Sequence, residues 1–129
     1  MNTEGYEVKR FDGSTKRYVR TMELRGDTPD FFSEYERRHA RGNVWPEVLE
    51  GIRAVGILEM EIYRCGRQLV MIVEAPEGFD WDEAMERLAT LPRQAEWEAY
   101  MAEVQEASAE ATSSEKWRRM DRIFNLYWP

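Results

Sequence analysis

Apolar and polar positions alternate along this chain in short registers, and each register names an element. From Arg17, RYVRTMELR sets Tyr18, Arg20, Met22 and Leu24 against Val19, Thr21 and Glu23. That alternation, with its β-branched and aromatic content, predicts a first strand. TPDFFSEYERRH opens with Thr28 as N-cap and Pro29 at the first helical position, where a missing N–H costs little, and predicts a short helix. After Gly42-Asn43 a second helix takes Pro46 into its first turn, aligns Trp45, Val48, Leu49, Ile52 and Val55 on one stripe, and stops at Gly56. ILEMEIYR and QLVMIVEAP flank Cys65-Gly66-Arg67 and read as a hairpin. DWDEAMERLATL carries a capping-box pattern from Asp80 to Glu83 and is broken at Pro92. Beyond it Trp97, Tyr100, Met101 and Val104 form another apolar helix face. Gln105 to Lys116, rich in Glu, Ala and Ser and without periodicity, reads as a loop or frayed helix end, and WRRMDRIFNLYWP as a closing strand.

The order strand, helix, strand, strand, helix, strand is the split βαβ arrangement. It predicts an α+β, ferredoxin-like fold: an antiparallel sheet with helices on one face. The second face of such a sheet stays open, which favours pairing of two sheets in a dimer or enclosure of a ligand. A pocket between that open face and flanking helices is the expected site. Residues 1–16 are polar, carry Gly5 and Gly13-Ser14, and read as a tail or one weak extra strand ahead of a single domain over 17–129.

Composition narrows the function. The 129 residues suffice for one domain, and a net charge of -7 works against a nucleic-acid partner, whose phosphates need Lys and Arg. One cysteine, Cys65, cannot form an internal disulfide, and one cysteine with one histidine cannot furnish a structural zinc site, so no metal is expected. No apolar run reaches membrane-spanning length and no signal pattern opens the chain, so the expectation is a cytoplasmic protein without a membrane partner.

The catalytic inventory is small. Tyr35 and His39 lie four apart on a helix and emerge on one face. His39 is the sole imidazole, the side chain best suited to give and accept protons near neutrality. A capping or surface histidine is the competing reading. Of five tryptophans, at 45, 81, 97, 117 and 128, most belong to a core and one or two suit the apolar face of a sugar; Trp97, between Glu96 and Glu98, is the best candidate. Glu47, Glu59, Glu61 and Glu74 are carboxylates, ordinarily solvated, any of which becomes a candidate base if it faces the pocket. No G-x-S-x-G, Walker or G-x-G-x-x-G signature occurs.

YERRHARGNVWPEV, followed by GILEMEIYR, LVMIVE, EWEAYM and RIFNLYWP, resembles the L-rhamnose/L-fucose mutarotase family from about Lys16 to about Leu126, and EKWRRMDRIFNL resembles its L-fucose branch. The resemblance implies a dimeric α+β barrel that interconverts α and β anomers of a 6-deoxy sugar without cofactor. It also implies His39 as proton donor, with Tyr35 and Trp97 as sugar contacts. The chain departs from rhamnose-type members at Glu98, where they carry a second tryptophan, and at Met60, where they carry a tyrosine. The gap from His39 to Trp45 is longer by two residues, so L-fucose is preferred over L-rhamnose as the expected substrate.

The reaction then expected is general acid-base ring opening, with His39 as acid at the ring oxygen, Tyr35 positioning the sugar, Trp97 stacking on it, and the partner base open. Two rivals are a cofactor-free or haem-dependent oxygenase, with the lone histidine as axial ligand, and a non-catalytic sugar-binding module.

Overall fold

The structure, a computed structural model, describes residues 4–128. Strand β1 (Thr15–Glu23) leads to helices α1 (Pro29–His39) and α2 (Pro46–Ala54), then strands β2 (Glu59–Cys65) and β3 (Gln68–Pro76). Helices α3 (Trp81–Leu88), α4 (Gln94–Ala102) and α5 (Ser113–Lys116) precede β4 (Arg118–Arg119). The sheet is antiparallel in the order β2-β3-β1-β4, the split βαβ topology.

Local chemistry explains most boundaries. Thr28 occupies the N-cap of α1, although its hydroxyl makes no capping bond, and proline stands at the start of both α1 and α2. Asp80 caps α3 by accepting the Glu83 N–H at 3.1 Å. Gly56 ends the α2 region at φ +102, a conformation costly to any residue with a Cβ. Gly66, at φ +58, opens the two-residue link that leaves Cys65 opposite Gln68. Helix α3 closes at Leu88, before Pro92 acts, and turns at Thr90 and Leu91 carry the chain to α4.

The pairing register puts Met22, Leu69, Met71 and Val73 on the inner sheet face, where they join Tyr35, Val48, Met85, Leu88, Trp97 and Met101 in one core. Val19, Val70 and Ile72 point the other way, are half-buried, and lie outside that core.

Two expectations need correction. The closing strand over residues 117–129 is only two residues long: Arg118 and Arg119 pair with Thr21 and Arg20, and the Met120 N–H adds a 3.0 Å bond to Val19. Beyond it Ile123, Phe124, Leu126 and Tyr127 are 71–89% exposed, because their apolar side chains follow no period of two against β1 and find no inner face to join. Conversely, the Gln105–Lys116 segment is not merely a loop. Gln105 bridges to Leu24, and Thr112 and Glu115 form a reciprocal capping box at the start of α5.

Candidate functional site

A cavity of about 410 Å³ lies where α1, α2 and α4 stand off the β2 edge of the inner sheet face. Its size falls within the ordinary range for small-molecule sites, about 300–1,000 Å³. The expectation was a pocket between the open sheet face and flanking helices; the cavity does lie between sheet and helices, but against the inner, helix-covered face that carries Met60, Ile62 and Met71, and α1 and α4 are joined beside it. Arg38 makes that joint. It is 9% exposed, donates to the Tyr100 carbonyl at 2.5 Å and to Glu103 at 3.0 Å, and lies 3.9 Å from the centre of the Tyr100 ring.

Tyr35 and His39, one turn apart on α1, both line this cavity together with Trp97 of α4. Their ring centroids are 4.4 Å apart, and the His39 ring meets the Trp97 indole edge-on at 5.6 Å. Trp45 and Tyr100 brace the same indole at 5.1 and 5.9 Å, so its attitude is set by three aromatic neighbours. The three residues singled out from the sequence therefore converge on one concave, largely apolar surface that Val48, Ile52, Met60 and Ile62 complete.

His39 is held in one tautomer. Its Nδ1 lies 3.0 Å from the Tyr35 carbonyl oxygen, which can only accept, so Nδ1 carries the proton and Nε2 presents a lone pair. Burial depresses the imidazole below its ordinary 6.5, only partly opposed by that hydrogen bond. At neutral pH the ring is therefore uncharged. Burial raises the Tyr35 phenol, so it stays protonated and serves as a donor.

The carboxylates named from the sequence divide. Glu59 lines the cavity, but its Oε1 accepts the Met60 N–H at 2.9 Å. Glu61 accepts from the Tyr63 hydroxyl at 2.7 Å, and Glu74 from the Thr15 hydroxyl at 2.9 Å. Glu47 pairs with Arg93 at 3.8 Å on the α2–α4 side. None of the last three borders the cavity. Of the tryptophans, Trp117 is a buried cavity wall, Trp81 stacks on Tyr18, and Trp128 is half-exposed.

The polar cluster that sequence reasoning missed is Gln94, Glu98, Gln105 and Lys116. The first three line the cavity and the Lys116 side chain is fully buried behind Glu98, 2.9 Å from its Oε1. A signal was present: positions 94, 97, 98, 101 and 105 share one helical phase, so Gln94, Glu98 and Gln105 interrupt the apolar stripe of Trp97 and Met101.

Comparisons with known proteins bear on the family and the fold. The family model for L-rhamnose mutarotase matches residues 17–126. The chain is 38% identical over 113 residues to an L-fucose mutarotase of Xanthomonas campestris pv. campestris, covering 88% of this chain and 90% of the relative. It is 31% identical over 117 residues to a UPF0734 protein of Dictyostelium discoideum, covering 88% and 91%. The crystal structure of an L-rhamnose mutarotase from Formosa agariphila shares the fold, with a TM-score of 0.62 at 17% identity, over 86% of this chain and 98% of that one.

Proposed function

Because the chain belongs to the L-rhamnose mutarotase family and is thereby a sugar mutarotase acting on L-fucose or L-rhamnose, we propose that it prefers L-fucose and that His39 carries the proton transfers. The preference is supported by the identity to a relative named for L-fucose and by the presence in the cavity wall of Glu98 and Met60, the two positions at which the resemblance implies a departure from rhamnose-type members.

One observation carries the mechanism: a partly buried, neutral imidazole whose Nδ1–H is engaged by the Tyr35 carbonyl and whose Nε2 has no hydrogen-bond partner among the described residues. Ring opening moves a proton from the anomeric hydroxyl to the ring oxygen, two atoms bonded to the same carbon. Nε2 takes the anomeric proton, the C1–ring-oxygen bond breaks as the C1 carbonyl forms, and the imidazolium then returns the proton to the departing oxygen. His39 is thus base first and proton donor second. Half a turn about C1–C2 exposes the other carbonyl face, and reclosure runs the same transfers backwards to the other anomer. The Tyr35 hydroxyl supports the departing oxygen as a hydrogen-bond donor, and Trp97 offers an apolar surface to the sugar ring. Only protons move, so no cofactor is called for.

We place this activity in a cytoplasmic homodimer. Support comes from the half-buried outer sheet face of Val19, Val70 and Ile72 and the exposed apolar segment Ile123–Trp128. No helix among the described residues is long and apolar enough to cross a membrane.

Saturation-transfer NMR of α/β exchange on both sugars tests the reading. Exchange of L-fucose above the buffer rate, and above that of L-rhamnose, is expected. Binding without exchange would make the chain a binding module, and faster exchange of L-rhamnose would reverse the preference.

A further inference from the structure

We propose that Glu98 is the hydroxyl-reading residue of the cavity: its carboxylate accepts hydrogen bonds from sugar O–H groups and so selects among pyranoses by hydroxyl placement. The inference rests on the sugar-mutarotase reading above and deepens it.

The hydrogen-bond inventory leads there. Lys116 Nζ has three donors, and it has three partners: the Glu98 carbonyl at 2.6 Å, Gln105 Oε1 at 2.9 Å and Glu98 Oε1 at 2.9 Å. The lysine is saturated and acts only through its neighbours. On the Gln105 side it takes the amide oxygen, which turns Nε2 toward the Tyr35 hydroxyl oxygen at 3.5 Å and leaves the phenolic proton free for another acceptor. On the Glu98 side it holds one carboxylate oxygen while Gln94 Nε2 donates to the other at 2.6 Å.

The acceptors on that side outnumber the donors. A carboxylate offers about four lone-pair positions, and these partners use one on each oxygen. Gln94 adds to the surplus: its Nε2 must face the carboxylate, so Oε1 is left buried without a hydrogen-bond partner, in a residue only 4% exposed. Around them the wall is Leu88, Trp97 and Met101. A buried ion pair in such a wall is often no more stabilising than apolar residues of the same size, so fold stability does not account for it. A ligand rich in hydroxyls does, because each O–H supplies a donor that this end of the cavity lacks.

The test uses three L-fucose analogues, each lacking one ring hydroxyl other than the anomeric one, with KM and kcat from anomer-exchange NMR and affinity from calorimetry. The wild type is compared with Glu98→Gln and with Glu98→Gln/Lys116→Met, in which the wall is neutral and no charge is stranded. Loss of a hydroxyl–carboxylate bond is expected to raise KM for L-fucose about 10- to 100-fold with a smaller change in kcat. The wild type should penalise one analogue by a similar factor, and that penalty should vanish in the double variant. A folded double variant with wild-type KM overturns the proposal, as does an analogue penalty that is the same with and without Glu98. Should neither variant fold, the wild-type series decides alone: three analogues bound as well as L-fucose also overturn it. A wild type that neither binds nor exchanges any 6-deoxy sugar overturns the mutarotase reading itself, and this inference with it.

Discussion

Replacing His39 by glutamine removes the ring nitrogen that accepts and returns the proton while leaving a polar group of similar length against the Tyr35 carbonyl. The expected loss follows from what else borders the cavity. His39 is the one imidazole of the chain, and Tyr35 is held protonated by burial and cannot act as a base near neutrality. With that imidazole gone, the variant should lose most of the general acid-base contribution, roughly 10³-fold within the usual 10²–10⁴. At 1.36 kcal/mol per decade that is about 4 kcal/mol of barrier. Saturation-transfer NMR at enzyme-saturating L-fucose, from pH 5 to 8, reads the loss directly. The wild-type rate should climb with pH through an inflection below 6.5 and then level off, because the neutral form does the work and burial depresses the imidazole. The variant's residual rate should lack that inflection. A variant within about threefold of wild type, or a wild-type rate that rises on acidification, would refute the assignment.

Stability should carry the same signature. The folded value of His39 lies below its unfolded value, so between the two the unfolded chain binds more protons. The associated stability is fully present above about pH 6.5 and is lost as pH falls toward the lower folded value. Denaturant unfolding of wild type against His39→Gln should show the variant with the shallower slope in that window. Lys116→Met alone strands the Glu98 charge in a buried wall and should cost about 3–5 kcal/mol, measurable as a shift of the urea midpoint; a loss under 1 kcal/mol would mean that water reaches the pair. Gly51→Ala, in the middle of α2, should stabilise by up to about 1 kcal/mol, since its Cβ would meet Leu88 and Leu91 at an ordinary 3.5 Å. A fall in Tm would show that this contact is tighter than its distances imply.

What could be read from the sequence was what is encoded within about ten residues. Prolines at two helix starts, Asp80 before Glu83, Gly66 in the hairpin and the alternation of β1 determine those elements locally, and the 3.6-residue helical repeat suffices to set Tyr35 beside His39. Trp97 could be named from its sequence neighbours, though not the three rings that brace it. Tertiary structure decided the rest. Gln105 and Lys116 lie 11 residues apart in a stretch without periodicity, and only folding over α4 brings them to Glu98 and Tyr35. The closing strand failed for a related reason: alternation states which face a residue prefers, but pairing needs a neighbour, and β1 offers one only as far as Met120. The protonation of His39 also belongs to the fold, because a pKa follows from the desolvation and hydrogen bonds of the assembled cavity, a sum over contacts distant in sequence that no local pattern contains.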